Sequence, residues 1–214
     1  MKQVFIVGGT GYMGTRLISA LLKKGHMVTA LARRGSEKKL PQGTRIITAN
    51  PFDPGSFTSE IPANAVFVQM LGVAHPSPKK AAQFTSIDLQ SVKASLTAAR
   101  DASVAHFVYV SVAMEPSGMM HAYQETRRTA EACCLQTGIP STFMRPWYVL
   151  GTGHYWPVLL LPLYCIAYLI PSLRKKVNAF GLITITQMIR SLVNAVEAEP
   201  VGCGVVEIGE IRDA

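Results

Sequence analysis

The stretch VFIVGGTGYMG, residues 4–14, decides the fold, because it joins a run of buried-strand residues to a helix through spaced glycines. Gly8, Gly11 and Gly14 follow a G-x-x-G-x-x-G spacing directly after the strand. Glycines at these positions allow a tight turn, close approach of the backbone to a pyrophosphate, and close packing of helix on strand. Amide groups at the helix N-terminus then provide an anion site. The stretch predicts a dinucleotide-binding turn.

Beyond this turn, short apolar runs alternate with helical stretches, which is typical of a doubly wound parallel sheet. The strands are predicted at 3–8, 26–33, 45–49, 64–71, 106–112, 141–150 and 204–211. The helices are predicted after the glycine turn up to Gly25, at 87–101, around HAYQETRRTAEA (121–132), and from a capping Thr184 to about Ala198.

The predicted fold class is therefore α/β, with one Rossmann-type domain over residues 1–214. Its core covers 1–153, and a helix and strand at 182–211 complete it. Between them lies a small apolar helical segment at 154–176, which we expect to cover the substrate.

The composition limits the class of protein. Hydrophobic residues make up 49% and charged residues 16% of the chain, which excludes a disordered protein.

The first residues lack the pattern of a signal peptide, so we expect a cytoplasmic protein. The net charge of +8 prompts the hypothesis of nucleic-acid binding, but the basic residues come as scattered doublets without a recognition motif. Cys133, Cys134, Cys165 and Cys203 fit no metal or redox spacing, so we expect buried cysteines and no metal site.

Residues 155–173, YWPVLLLPLYCIAYLIPSL, contain no charged side chain, and a basic triplet follows at 174–176. This length approaches that of a membrane-spanning helix, but Pro157, Pro162 and Pro171 interrupt the run. Burial against the core or in a homodimer interface is the first interpretation. The alternatives are a peripheral membrane contact, or a cover over an apolar substrate.

The second predicted strand ends at Arg33 and Arg34. At this place a protein that binds NAD commonly presents a carboxylate to the ribose hydroxyls. The planar fork of arginine suits a 2′-phosphate instead, so the pair favours NADP(H) over NAD(H). A solvated surface pair is the alternative interpretation.

Together with three further stretches, these features resemble an atypical short-chain dehydrogenase/reductase of the NAD(P)H-binding group, in the superfamily of NAD-dependent epimerases and dehydratases. The group includes the NmrA-like regulators and the NADPH-binding accessory subunit of respiratory complex I. The three stretches are ITANPFDPGSF (47–57), where the adenine of the cofactor would lie, VYVSV (108–112), which holds the family's serine, and FMRPWYVLGTG (143–153), which would lie along the nicotinamide. In the first, Ala49 and Asn50 replace the family's Gly-Asp, and Asn50 still offers an amide to adenine.

The resemblance implies an NAD(P)H cofactor, of which Arg33 and Arg34 favour NADP(H), and a set of residues that bind it. These are Gly8, Thr10, Gly11, Tyr12, Met13, Gly14, Arg33, Arg34, Asn50, Pro51, Met70, Leu71, Gly72, Pro146, Trp147, Tyr148 and Val149. The arginine of the nicotinamide stretch is Arg145, and its glycines are Gly151 and Gly153.

In working members of the superfamily, a tyrosine donates a proton to the substrate carbonyl, a serine holds the carbonyl oxygen, and a lysine assists the tyrosine. The matching positions here are Ser111, Tyr123 and Arg127, and the spacing of four residues puts the last two on one helical face. Arg127 supplies a charge but cannot lose a proton. Two interpretations stay open. One is an NADPH-dependent oxidoreductase on an unassigned substrate, for which an apolar small molecule is the candidate. The other is a non-catalytic NADPH-binding regulator, sensor or assembly factor with a degenerate Y-x-x-x-R site.

Overall fold

A parallel seven-stranded sheet runs through the computed structural model, which describes residues 1–115, 120–152 and 181–214. In chain order its strands are β1 (Gln3–Val7), β2 (Met27–Ala32), β3 (Arg45–Thr48), β4 (Val66–Gln69), β5 (His106–Val110), β6 (Ser141–Met144) and β9 (Cys203–Val206). A separate parallel pair is β7 (Val149–Leu150) with β8 (Ile183–Thr184). The sheet order is β3-β2-β1-β4-β5-β6-β9. The order reverses between β1 and β4, and doubly wound sheets bind ligands at such a point.

Helices cover both faces of this sheet. They are α1 (Tyr12–Lys23), α2 (Ala81–Gln83), α3 (Gln90–Asp101), α4 (His121–Gln136), α5 (Ile185–Glu197) and α6 (Ile208–Asp213). A π-helical turn, Phe84–Leu89, joins α2 to α3. Short 3-10 turns lie at Glu37–Lys39, Pro54–Ser56, Thr58–Glu60 and Pro78–Lys80.

The apolar core lies in two layers, because the central strands are buried on both faces. On one face, α1 and α5 pack on the sheet through Leu17, Ile18, Leu21, Met188 and Leu192. On the other face, α3 packs on a row of strand phenylalanines, Phe5, Phe67 and Phe107. The rings of Phe67 and Phe107 stack with centroids 5.2 Å apart. The doubly wound α/β fold predicted from the sequence is confirmed.

The predicted strand at 141–150 is wrong in its second half. The strand β6 ends at Met144, and residues Val149–Leu150 belong to the separate pair. Pro146 explains the break, because proline has no backbone N–H to donate to a ladder. Its carbonyl instead accepts a hydrogen bond from Ala113 N at 3.0 Å.

The predicted strand at 204–211 is also wrong beyond Val206, because α6 begins at Ile208. Glu207 and Glu210 form a capping box, in which the Glu207 amide donates to Glu210 Oε2 at 2.9 Å. This local cap stabilises a helix start and overrides the alternation of apolar residues. Two other predicted ends are confirmed: Gly25 takes a positive φ of 81° after α1, and Thr184 caps α5.

The apolar segment at 154–176 lies outside the described residues, as do Gly153 and Cys165. In the part that the structure describes, no helix has the length and apolar character needed to cross a membrane. The expected burial of the cysteines is wrong for Cys203, which is exposed on the edge strand β9, whereas Cys134 is buried. No cluster of metal-ligating side chains occurs within residues 1–115, 120–152 and 181–214.

Candidate functional site

The glycine turn between β1 and α1 has no room for side chains. Gly8 has a φ of 91°, and a Cβ there would lie 2.6 Å from the backbone nitrogen of Leu71. A Cβ on Gly14 would lie 2.4 Å from the Gly8 oxygen. The first turn of α1 has neither a capping side chain nor an acidic residue. The backbone amides at this helix N-terminus therefore form a site that suits an anion such as a pyrophosphate.

Replacing Gly14 by alanine is expected to abolish nucleotide binding and to lower the free energy of unfolding by about 1–3 kcal/mol, because the added methyl group displaces the turn. Urea unfolding and calorimetric titration with NADPH measure both effects. The matched control is Gly209→Ala in α6, where a Cβ meets nothing within 4 Å. We expect this control to bind nucleotide normally, and an equal loss in both variants would contradict the steric argument.

A cavity of about 670 Å³ opens beside this turn, at the carboxyl ends of β1, β4 and β5. Ligand pockets commonly measure roughly 300–1,000 Å³. It brings together most of the residues predicted to bind the cofactor: Gly8, Gly11, Tyr12, Met13, Gly14, Met70, Gly72, Pro146, Trp147, Tyr148 and Val149. Ser111, Tyr123 and Arg127 line the same cavity.

The remaining predicted cofactor residues lie outside the lining of this cavity. Arg33 and Arg34 are exposed just beyond the end of β2. Thr10 is half-buried in the glycine turn, and Leu71 packs against the apolar core under α3. Asn50 is exposed and its side-chain oxygen accepts from the amide of Phe52 at 3.1 Å, while Pro51 between them is buried.

Tyr123 is held in the cavity by two neighbours. Its hydroxyl oxygen accepts a hydrogen bond from Arg127 Nη2 at 3.0 Å, as the spacing of four residues on α4 predicted. Its ring packs on the buried ring of Phe84, with centroids 4.9 Å apart. The hydroxyl of Ser111 is buried at the end of β5 and has no hydrogen-bond partner among the described residues. A buried hydroxyl without a partner is unfavourable, so Ser111 is suited to bind a ligand in the cavity.

Arg127 is more deeply buried than the sequence indicated, with only 6% of its side chain exposed. Its Nη1 donates to Tyr109 Oη at 2.9 Å and to the Val110 carbonyl at 3.0 Å. Its Nη2 donates to Asp88 Oδ2 at 3.0 Å, and the other oxygen of Asp88 accepts from the amide of Val73 at 2.7 Å. The Arg127 guanidinium therefore forms an ion pair with the fully buried carboxylate of Asp88.

The electrostatics of this cluster follow from its burial. Burial raises the pKa of the Asp88 carboxyl, although the charge of Arg127 and the Val73 amide act to lower it. Burial also raises the pKa of the Tyr109 phenol, against the influence of Arg127. Tyr109 therefore stays neutral and serves as a hydrogen-bond acceptor for Arg127.

The sequence did not identify Asp88 and Tyr109 as site residues. The positions of Phe84, Asp88 and Val92, each four apart, place the carboxylate on the apolar face of its helix, and that is the signal that could have found it. Gly72 was predicted to contact the cofactor, and its nearest neighbour is the guanidinium: a Cβ there would lie 2.5 Å from Arg127 Nη2.

Arg145, which the resemblance placed in the nicotinamide segment, forms two ion pairs. Its Nη2 lies 2.6 Å from Glu131 Oε2 on α4, and its Nη1 lies 2.8 Å from Glu207 Oε1 beside α6. These pairs tie the carboxyl end of β6 to α4 and to the C-terminal helix. The observed role of Arg145 is therefore to join elements around the site.

The residues present fit a dinucleotide cofactor. The turn at Gly8 and Gly14 excludes any Cβ, and the first turn of α1 offers amides. Ser111 lines the same cavity with a hydroxyl that has no partner in the described part of the chain. Such an arrangement suits a long ligand with an anionic middle and polar groups beyond it.

Comparisons with known proteins agree with this geometry. A family described as NAD(P)H-binding matches residues 8–152. No curated protein matches the chain significantly. The chain is similar in structure to a UDP-galactose 4-epimerase, with 14% identity over 96% of this chain and 77% of that chain and a TM-score of 0.72. It is also similar to the Bordetella bronchiseptica enzyme WbmH in complex with NAD+, with 18% identity over 100% and 80% of the two chains and a TM-score of 0.69. At these identities the likeness shows the fold.

Proposed function

Since the chain belongs to a family described as NAD(P)H-binding, we propose that it is an atypical short-chain dehydrogenase/reductase, an NADPH-dependent oxidoreductase that reduces a carbonyl group on an apolar small molecule. The observation that supports this proposal is the meeting of Ser111, Tyr123 and Arg127 in the cavity beside the glycine turn. These three groups are the physical minimum for proton transfer to a carbonyl next to a bound nucleotide.

Each side chain has a definite task in this proposal. Bound NADPH would supply the hydride. The Ser111 hydroxyl, which has no other partner among the described residues, holds the carbonyl oxygen. The Tyr123 oxygen accepts from Arg127, so its own O–H remains able to donate to that carbonyl oxygen. Arg127 fixes the phenol in place, and it cannot pass a proton onward because guanidinium stays charged.

The walls of the cavity support an apolar substrate. Met70, Val112 and Met120 line it, and Arg127, the charged residue in this part of the lining, already donates to four protein acceptors. These four bonds use Nη1 and Nη2, and the remaining donor, Nε, is buried. A charged substrate would therefore lose its hydration against mainly apolar walls. Turnover confined to small polar carbonyls would contradict this part of the proposal.

NADPH is expected to bind more tightly than NADH, and Arg33→Ala is expected to remove about tenfold or more of that preference, because a charge-assisted hydrogen bond to the 2′-phosphate is lost. Arg33 is exposed beyond β2 and forms no ion pair among the described residues. Titration calorimetry with both nucleotides measures the effect. The matched control is Arg100→Ala, an exposed arginine at the end of α3 that pairs with Asp101. Equal affinity for both nucleotides in the native protein would argue against the NADPH assignment.

A non-catalytic NADPH-binding regulator or assembly factor is the second candidate, and one observation favours it. The charge of Arg127 is balanced by Asp88 in a buried pair, so Tyr123 does not face an isolated cation. NADPH oxidation measured with a panel of apolar aldehydes and quinones separates the two. Nucleotide binding without turnover of any carbonyl compound would favour the regulator.

A further inference from the structure

The loop at 72–77, which follows β4, forms one wall of the cavity and is fixed by charged side chains. The Val73 amide donates to buried Asp88 at 2.7 Å. The Lys80 ammonium donates to the Ala74 carbonyl at 2.6 Å and to the His75 carbonyl at 3.0 Å. Charge-assisted hydrogen bonds of this kind are among the stronger ones in proteins. The fold therefore holds the loop in place on both sides of His75.

His75 adopts a left-handed backbone conformation, with a φ of 50°. This conformation is uncommon for a residue with a Cβ, although histidine adopts it more often than most other residues do. Strain of this kind concentrates where a side chain must be aimed at a ligand. The His75 residue is exposed and belongs to the lining of the cavity.

The loop adds polar side chains to a largely apolar part of the cavity. His75 and Ser77 lie on it, whereas Met70, Val112 and Met120 line the neighbouring walls. The reacting groups Ser111 and Tyr123 lie elsewhere in the lining, at the end of β5 and on α4. An imidazole can both donate and accept a hydrogen bond. A ligand that spans the cavity would meet His75 on the loop and the reacting groups on β5 and α4.

We propose that His75 is a specificity-determining residue that hydrogen-bonds an oxygen substituent, such as a hydroxyl or a second carbonyl, on an otherwise apolar carbonyl substrate. This proposal rests on the proposed function, because it takes the reacting carbonyl to lie at Ser111 and Tyr123. It names the substrate class: apolar molecules with a second oxygen function distant from the carbonyl that is reduced.

The test compares 2-naphthaldehyde with 6-hydroxy-2-naphthaldehyde, which differ only in the distal hydroxyl. The native protein is expected to show a KM about three- to tenfold lower for the hydroxylated aldehyde, which is the effect of one neutral hydrogen bond. His75→Gly is expected to remove this difference by raising the KM for 6-hydroxy-2-naphthaldehyde about three- to tenfold, with the affinity for NADPH retained. Its Tm is expected not to fall, because glycine adopts the left-handed conformation without strain.

The control is Ser103→Gly, since Ser103 also has a positive φ, of 53°, in the turn after α3 and away from the cavity. It is expected to keep the preference for the hydroxylated aldehyde. A native protein without that preference would overturn the proposal, and so would a preference that survives in His75→Gly. A loss of NADPH affinity in His75→Gly would overturn it as well, because His75 would then contact the cofactor.

Binding of the two aldehydes is also measured without turnover, by quenching of tryptophan fluorescence, because Trp147 lines the cavity. If neither aldehyde is reduced but the hydroxylated one binds more tightly, and only in proteins that keep His75, the proposed function fails and the assignment of His75 stands. If both aldehydes are reduced equally well by the native protein, the proposed function stands and the assignment of His75 fails.

Discussion

Replacing Arg127 by methionine is expected to lower the free energy of unfolding by about 3–5 kcal/mol, because the fully buried carboxylate of Asp88 would lose its partner. Methionine occupies a similar volume, so the loss reports mainly on the charge. The guanidinium also donates to Tyr109 and to the Val110 carbonyl, and both acceptors would be left without it. Urea unfolding followed by circular dichroism measures the change.

The matched control is the neighbouring Arg128→Met. Arg128 pairs with Glu125, but both side chains are more than half exposed, so we expect a change of only about 0–1 kcal/mol. A double variant, Asp88→Leu with Arg127→Met, is expected to recover most of the stability, since it removes both charges together. If Arg127→Met lowered the free energy of unfolding as little as Arg128→Met is expected to, the buried pair would not stabilise the fold.

Replacing Tyr123 by phenylalanine is expected to lower NADPH-dependent turnover of an apolar aldehyde by about 10²–10⁴-fold, the usual effect of losing a positioned proton donor. The ring would keep its contact with Phe84, so the helix and the cavity should remain in place. Affinity for NADPH is expected to stay within about twofold, because removing one hydroxyl leaves the glycine turn unchanged. Steady-state kinetics and calorimetry on the same preparation measure both quantities.

The exposed His121 at the start of α4 provides the comparison, and His121→Ala is expected to keep full turnover. If Tyr123→Phe retained more than half of the native kcat, Tyr123 would not be the proton donor. In that case nucleotide binding without a role for Tyr123 would favour the regulator over the oxidoreductase.

The fold could be predicted from local sequence because its deciding features are local. The glycines at 8, 11 and 14 act through contacts within one turn, and Gly25 and Thr184 mark helix ends through their own backbone and side chain. The predicted strand ends were wrong where the pattern of apolar residues was overridden by another local feature. Pro146 interrupted an apolar strand, and the Glu207 capping box turned an alternating run into a helix.

The candidate site could be predicted only in part, because its polar cluster depends on contacts between distant residues. Tyr123 and Arg127 are neighbours on one helix, so their spacing predicts their contact. Asp88 lies 39 residues before Arg127, and nothing in either local sequence indicates the pairing. Tertiary packing decides which groups Arg127 contacts. In the structure its guanidinium donates to the buried carboxylate of Asp88 as well as to Tyr123.

The π-helical turn at Phe84–Leu89 has a consequence for how this gene can vary. Phe84 contacts Tyr123 and Asp88 contacts Arg127, so two pairs of side chains, each four residues apart, must match across two helices. Deleting one codon here would restore an ordinary helical turn and rotate one partner by about 100° relative to the other. Exchanges at the exposed Thr85 and Ser86 leave this match intact. We therefore expect the protein to tolerate substitutions at the exposed positions of this stretch, but not the loss of one residue from it.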